Sequence, residues 1–565
     1  MNTKESSVKT ERTASSPVGR NWWLLSTAST VLPWACQPPL AWWPIAAVCI
    51  LPLLFAAATE TISRRQYLVL YLAALVYWAL TLQGLRHANP LIYPCWIALA
   101  AYLAIYPIAF VIVLRRLLGR RVAMIIAAPL AWVGMECVRN YLLTGISAAM
   151  LGHALADVPS MIQIADLGGT YAVSFVLASL NVAFFSLWRW RSQKHSQRSE
   201  EMQKPFPIAV MFWTVALASA TFMYGNYRLG HTTKPPRTTI ALIGRAESVE
   251  YDQDRSRELE LFGAYAGESL KTIESTDQVV DAIVWPESMF TGTIPWMTGD
   301  GKALAHEQGR PIEEVRAIIG ENQDAFRFRA KSLQSMLAKN NGPDEVTPDI
   351  IGGCGVVDYG ESTKIYSGIV HVDKGGRVSD WYGKMHLVMF GEYIPLVKHV
   401  PVVRNWIPKN LGLTTGESAK RFQIGELTLS PNICIETAVE RVAINHLRQL
   451  RSDAQGTLPD AIVTVTNDAW FDDSSVVQHH KRCAQLLAVA CRRPILSAAN
   501  NGPTVWIDSC GRVAEELPQG AEGNVIATPE IDGRTSLVVR IADWPARICA
   551  ILFLGLLLKR PKRDP

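Results

Sequence analysis

The groups in this chain most able to do covalent chemistry are a thiol, three carboxylates and an ammonium group placed at the ends of apolar runs. Phe422–Leu429 reads as a strand that enters a Ser430-Pro-Asn turn, and Leu427–Ile433 continues the apolar run; Cys434 follows directly, with Glu436 two residues on. A thiol with its usual pKa of about 8.5 is mostly protonated at neutral pH, so Cys434 is a nucleophile only if other groups activate it. Without them it is a small buried hydrophobe. Possible partners stand at two other strand ends. Ile283-Val-Trp-Pro-Glu-Ser288 puts Glu287 just after a Trp-Pro break, and Trp381-Tyr-Gly-Lys-Met-His386 with Leu387–Pro395 supplies Lys384 and Glu392. Acyl transfer needs a nucleophile, a base for its proton and a positive group for the developing oxyanion. Cys434, Glu287 and Lys384 fit those roles in that order. Each also has a plain structural alternative: a first-turn helix acid for Glu287, a surface lysine for Lys384, and an ion-pair partner of that lysine for Glu392.

The elements that must position these groups follow from patterning. Thr239–Ile243, Ala282–Trp285, Asp349–Val357, Gly368–Val372, Leu427–Ile433, Ala461–Val465 and Pro494–Ala498 are short, β-branched apolar runs. They are continuous rather than alternating, as expected of strands buried on both faces. Amphipathic stretches such as Ser256–Ile273 and Asp324–Lys339 lie between them, which predicts a layered α/β domain. The intervening 288–342 segment is long and carries helix-like pattern; an arm beside the site and a surface insertion are both compatible with it. Val400–Leu413, with Trp406, reads as a membrane-facing lid or as core.

The N-terminal part is different in kind. After a polar, Ser/Thr-rich tail, apolar runs fall near Trp22–Cys36, Leu40–Ala58, Tyr67–Leu82, Ile92–Leu114, Val122–Val138, Val173–Leu187 and Ile208–Tyr224, with another at Ala546–Leu558. Several approach the ~20 residues that cross a bilayer. Arginines and lysines cluster after the second, fourth, sixth and last runs, and before the first, whereas the alternate loops carry only Arg86 and Arg139 near the runs. That alternation predicts eight spans with both termini in the cytoplasm, and hence the segment from about Arg228 to Trp544 on the opposite face. Basic residues that cluster between apolar runs indicate membrane orientation rather than nucleic-acid binding. Glu136 and Arg139 are expected to pair at a helix end or to meet a lipid headgroup. The ten cysteines form no CxxC pair and no His/Cys metal spacing, so neither a metal site nor a disulfide scaffold is expected.

With these residues in place, the order Glu, Lys in a Tyr-x-Lys-x-His-Leu run, and Cys after a strand resembles the Glu-Lys-Cys triad of the nitrilase superfamily of carbon-nitrogen hydrolases. Lys384-Met-His-Leu-Val and Phe390-Gly-Glu-Tyr-Ile-Pro395 are similar to that family's KxHLVPFGEYxP. Thr466-Asn-Asp-Ala-Trp-Phe471, Gln478-His479, Arg493-Pro494 and Ala499-Asn-Asn-Gly502 follow its NDAWF, QH, RP and TNNG series. Together with eight spans, and with Pro38–Pro44 and Trp132–Gly145 as membrane motifs, the chain resembles the apolipoprotein N-acyltransferases over nearly its whole length. Met389 stands where that family commonly has Pro, Ile435 where it has Tyr, and the first strand lacks its Gln-Gly-Asn text.

The resemblance implies a multi-span α-helical membrane domain plus an α/β nitrilase-like αββα sandwich. Its parts would be a disordered cytoplasmic tail (1–20), a seven-helix membrane domain (21–227), a periplasmic catalytic domain (228–544) and an eighth transmembrane helix with a cytoplasmic tail (545–565), in a bacterial inner membrane. It implies catalytic Glu287, Lys384 and Cys434, with Glu392 and Glu436 in support, and no cofactor. The expected reaction moves an acyl chain from a glycerophospholipid, through a cysteine thioester, to the α-amine of a diacylglyceryl-cysteine at a lipoprotein N-terminus. The chain is expected to act as a monomer and without nucleic acid. Two other readings use the same residues: a membrane-tethered amidase with water as acceptor, and a non-catalytic lipid-binding protein on an enzyme fold. Against the first, a hydrolase of soluble amides needs no eight-span domain. Against the second, a scaffold has no physical need of all three polar groups.

Overall fold

The computed structural model describes residues 22–88, 92–195, 205–230, 234, 238–248, 254–389, 391–393, 412–453, 455–472 and 474–559. Thirteen strands are described: β1 (Ile240–Gly244), β2 (Ala282–Trp285), β3 (Trp296–Thr298), β4 (Asp349–Tyr359), β5 (Thr363–Val372), β6 (Val378–Gly383), β7 (Phe422–Ile424), β8 (Leu427–Ile433), β9 (Ala461–Asn467), β10 (Ile495–Asn500), β11 (Thr504–Ile507), β12 (Val513–Leu517) and β13 (Gly523–Ala527). They form two sheets, ordered β13-β1-β2-β4-β5-β6 with β3 also on β4, and β12-β11-β10-β9-β8-β7. The sheet centres are parallel, β1, β2 and β4 in one and β8, β9 and β10 in the other; Glu287 and Cys434 follow the central strands β2 and β8, whereas Lys384 follows the antiparallel edge strand β6. The loop after β2 meets Lys384 beyond β6, and Glu436 beyond β8 bonds the loop that bears Lys384.

The sheets meet face to face. Ile240, Leu242, Val284, Ile351 and Ile369 of one pack on Leu429, Ile433, Val463, Val465 and Leu496 of the other in a single apolar cluster. The central strands β1, β2, β9 and β10 also bury their second face, which is why their runs are continuous rather than alternating. On the outside of the first sheet lie helices Arg255–Ser275 and Ile312–Ala338, with Leu261, Tyr265, Phe326, Leu333 and Leu337 inward. Helices Glu440–Arg451 and Ser475–Cys491 cover the second. The result is an αββα sandwich. Most of the 288–342 segment is therefore neither arm nor insertion: its long helix is one of the four layer helices, and only its 302–319 end forms a separate small cluster of Leu304, Val315 and Ile319.

One local expectation is corrected. Ser430-Pro431-Asn432 is not a turn but the middle of β8; the break comes earlier, at Gly425 and Glu426, where β7 doubles back onto β8. Proline is tolerated because β7 pairs only with Leu427–Leu429, so Pro431 lies past the end of that ladder and its missing N–H breaks no bond.

The N-terminal part is helical. Helices Tyr93–Gly119, Thr170–Ser192 and Ile208–Leu229 are long and apolar enough to cross a membrane, and Trp43–Ala58 and Trp544–Leu558 are shorter apolar segments. The Ile208–Leu229 helix leaves Phe212 74% exposed, with Ile208 and Met223 similarly bare. A surface of this kind suits a lipid environment better than water. The helical part does not hang from the sandwich by a linker. Its core is continuous with the outer helix layer of the second sheet, since Leu155, Ile162 and Ala165 share one cluster with Ile444, Leu447, Leu486 and Leu487.

Candidate active site

Glu287 sits two residues past β2, and Ser288 after it turns the chain away at φ 68°. The carboxyl reaches this place only because β4 passes very close. A Cβ on Gly353 would lie 2.2 Å from the Pro286 carbonyl oxygen, so no other residue fits there. Ser367 of β5 donates its hydroxyl to Glu287 Oε1 at 3.0 Å, and Lys384 Nζ lies 3.4 Å from the same oxygen. Lys384 follows β6, is 1% exposed, and donates its backbone N–H to the Ser367 carbonyl. Its closest partner is Glu392, at 2.5 Å from Nζ. Glu392 is itself held, because the Val388 N–H donates to its other oxygen at 2.7 Å.

The two carboxylates differ by environment. Glu392 is the nearer partner of the ammonium, and burial pushes the Glu287 carboxyl above its usual range against the pull of Lys384, with Glu392 repelling it further. Burial alone would favour a neutral lysine, but Glu287, Glu392 and Cys434 together hold Lys384 well above its ordinary value, so it is charged. A carboxyl raised by burial beside an ammonium group is suited to take a proton from the thiol.

Cys434 ends β8 with φ 47° and ψ −111°, a sparsely populated conformation for a residue with a Cβ. Four bonds hold it. Its N–H donates to Val465 O at 2.9 Å, and its carbonyl accepts from Thr437 N–H at 3.0 Å and from His480 Nε2 at 3.0 Å. Glu436 accepts from Ile433 N–H just before it, at 2.8 Å. Burial pushes the thiol up to about 12 even though Lys384 pulls it down. The resting sulfur therefore carries its proton, and reaction requires a base in the same site.

Glu436 is fully buried and is a brace rather than a reacting group. Its two oxygens accept from Tyr382 OH, Met385 N–H, His386 N–H and Ile433 N–H, at 2.7–3.0 Å. One side chain thus ties the loop bearing Lys384 to the turn bearing Cys434. Behind the cysteine, Thr466 donates to Asp468 at 3.0 Å, and Asp468 lies 3.5 Å from His480 Nδ1. Burial would lower the His480 pKa, but Asp468 and the Cys434 carbonyl raise it overall. A Cβ on Gly502 would lie 2.1 Å from Asp468 Oδ2, so the Asn-Asn-Gly text preserves room for this acid.

The structure brings all five sequence-predicted residues into one cluster: Glu287, Lys384 and Glu392 in direct contact, Cys434 facing them, and Glu436 bracing the two sides. Ser367, Tyr382, Thr466, Asp468 and His480 were not foreseen as site residues. Thr466 and Asp468 lie in the Thr-Asn-Asp-Ala-Trp-Phe text, His480 is one residue past the Gln478-His479 pair, and Tyr382 is the tyrosine of the Tyr-x-Lys-x-His-Leu run; Ser367 had no such signal. His479 points elsewhere and is buried. Glu136 and Arg139 do not pair. Glu136 accepts from Trp132 Nε1 and Leu151 N–H, while Arg139 donates to Ala148 O and lies over the Trp78 ring. Most of the Val400–Leu413 lid candidate lies outside the described residues.

A sandwich of this topology, with acid, lysine and cysteine at adjoining strand ends, defines the carbon-nitrogen hydrolase class. The family model described as carbon-nitrogen hydrolase matches residues 262–538, and that of the apolipoprotein N-acyltransferase N-terminal domain matches residues 29–183. An apolipoprotein N-acyltransferase from Rhodopirellula baltica is 46% identical, covering 95% of this chain and 98% of that one. Another from Geobacter metallireducens is 27% identical over 94% of each. Among solved structures, an amidase from Nesterenkonia sp. AN1 is similar at 14% identity and a TM-score of 0.35, covering 56% of this chain and 98% of the amidase. The chain belongs to the apolipoprotein N-acyltransferase family, and is an acyltransferase.

Proposed function

We propose that this enzyme moves an acyl chain from a membrane glycerophospholipid to the N-terminal α-amine of S-diacylglyceryl-cysteine in an apolipoprotein, through a thioester on Cys434. Glu287 takes the thiol proton as sulfur attacks the sn-1 ester carbonyl. The negative charge on the carbonyl oxygen is met by the Lys384 ammonium, a fixed charge in a site shielded from water. The intermediate collapses with cleavage of the C–O bond, and the departing glycerol oxygen takes the proton back from Glu287, leaving lysophospholipid and thioester. In the second half the amine attacks the thioester carbonyl and Glu287 accepts its proton. The C–S bond breaks, and the proton returns to sulfur. Glu392 keeps Lys384 charged and placed, and Glu436 sets the spacing between lysine and cysteine.

The observation that carries this reading is the Glu287–Lys384–Glu392 cluster beside a strained, protonated Cys434, on a sandwich whose outer helix layer is packed into apolar helices. Both substrates of such a transfer are anchored in lipid, and the near-seamless join of site and apolar bundle suits them. The positive charges at alternate loops support eight spans, with residues 21–227 and 545–565 in the inner membrane of a bacterium, 1–20 in the cytoplasm, and 228–544 on the periplasmic side. One chain contains every group of the site, in keeping with a monomer.

The test is the intact mass of purified enzyme after incubation with phospholipid micelles, beside Cys434→Ser. A hydroxylamine-labile mass increase of one acyl chain, absent from the variant, is expected. A folded, thiol-reactive enzyme that takes no acyl group from any phospholipid would sink the proposal in favour of a water-accepting amidase.

A further inference from the structure

Far from the thiol, a cavity of about 680 Å³ opens where several apolar helices end together. Its walls come from the C-terminal ends of the Leu51–Ala58, Ile105–Gly119 and Thr170–His195 helices and from the chain around Pro205 and Pro207. Three arginines face it. Arg115 donates to the carbonyls of Ala57, Thr59 and Glu60, and Arg116 to those of Leu556 and Leu557, so each guanidinium closes the end of an apolar helix. Arg189 is exposed and lies over the Phe185 ring at 5.8 Å. Among the described residues none of the three is in an ion pair with a carboxylate. Apolar surface continues into the cavity from Phe185, Leu118, Met124 and Trp190, the last packed edge-on against Phe206.

Three positive charges whose partners among the described residues are neutral carbonyls, the Thr59 hydroxyl and a ring, at the mouth of an apolar cavity, ask for an anion with a hydrocarbon body. Basic pockets between membrane helices recognise acidic lipid headgroups on these terms. We infer that this cavity holds the phosphate headgroup of an anionic phospholipid from the leaflet opposite the catalytic domain, with its acyl chains along the apolar helices. Such a site is separate from the acyl donor's site and would fix the depth and orientation of the bundle rather than take part in transfer. The inference rests on the helical half spanning a membrane; it does not rest on the thioester chemistry.

The test uses the full chain as Cys434→Ser, so that lipid is bound but not consumed, in neutral detergent. Native mass spectrometry compares retention of dimyristoyl phosphatidylglycerol with that of dimyristoyl phosphatidylcholine. The background chain is expected to prefer the anionic lipid. Arg189→Gln, at an exposed side chain with no hydrogen bond to the other described residues, should weaken that preference about fivefold, the effect of one basic residue at a membrane surface; Arg189→Lys should retain it. Acyl-adduct formation by the Arg189→Gln enzyme with Cys434 intact should be unchanged. An unaltered lipid preference in Arg189→Gln overturns the inference. So does loss of the bound lipid to millimolar inorganic phosphate, which would make this a site for free phosphate.

Discussion

Two of the buried clusters of cations and carboxylates among the described residues are built in opposite ways. At the site, one cation, Lys384, lies between two carboxylates, Glu287 and Glu392, next to a thiol. Where the sandwich joins the helices, one carboxylate, Asp166, lies between two cations: Arg492 at 2.7 Å, itself 0% exposed, and Arg228 at 2.7 Å, with Tyr224 donating as well. Arg492 also donates to Gln163 Oε1 and to the Gln163 carbonyl, so nearly all its donors are used. The second cluster is saturated and acts as a fastener. The first leaves one carboxyl, Glu287, loosely held and raised in pKa, and this is what lets it accept a proton during turnover. Buried charge alone therefore does not mark a functional site; an excess of base over acid beside a nucleophile does.

Removing the central ion of each cluster should separate these roles. Lys384→Met and Glu287→Gln are each expected to lower acyl transfer by about 10³-fold or more while the chain still folds. In Lys384→Met two carboxyls face each other and share a proton. Their raised pKa values mean that the fold binds protons more tightly than the unfolded chain, so this variant should gain stability as pH falls toward the ordinary carboxylate range. Asp166→Asn should do the reverse. It leaves two buried guanidinium groups without a counter-ion and should cost about 3–5 kcal/mol of stability, with adduct formation preserved below the lowered unfolding temperature. Equal loss of activity and stability in both variants would erase the distinction.

A smaller effect sharpens it. Glu436 is pushed up to about 7, first by burial, against the lowering effect of its donors. Four donors point at it, so its ionised form is the brace. As pH falls through 7 the carboxyl takes a proton, the brace loosens and turnover should decline. Stability should move the other way, because a carboxyl with a raised folded pKa contributes most below its unfolded value and loses that contribution as pH rises from 4.5 to 7. Glu436→Gln should flatten this limb of the kcat profile. Smallest is the His480 contact with the Cys434 carbonyl. His480→Ala is expected to lower kcat roughly 10-fold, about one charge-assisted hydrogen bond, with KM unchanged. His480→Gln, which still offers an N–H, should recover part of that; no recovery would make the histidine mere packing.

Much of the site is legible along the chain because each member sits at a strand end, in text that places it there: Trp-Pro-Glu for Glu287, Tyr-Gly-Lys for Lys384, the run before Cys434. The observed helices lie close to the predicted apolar runs because length and hydropathy are properties of a single segment. The surroundings are harder to read. Ser367 is an ordinary strand residue until folding sets it against Glu287, and Tyr382, though in the Tyr-x-Lys text, shows its bond to Glu436 only once folded. His480 differs from His479 only in which face of its helix meets Cys434. Pro431 looks like a turn until it is seen that its strand outruns its neighbour.

The sequence by itself determined the two kinds of region, the order of acid, lysine and cysteine, and the charge asymmetry of the loops, because all of these depend on local composition. Tertiary structure decided that both Glu287 and Glu392 meet Lys384 and that burial raises Glu287, that Glu436 braces rather than reacts, and that Asp166 and Arg492 fasten the two halves. Those outcomes depend on distances between residues far apart in the chain, and on the burial that only the packed layers create.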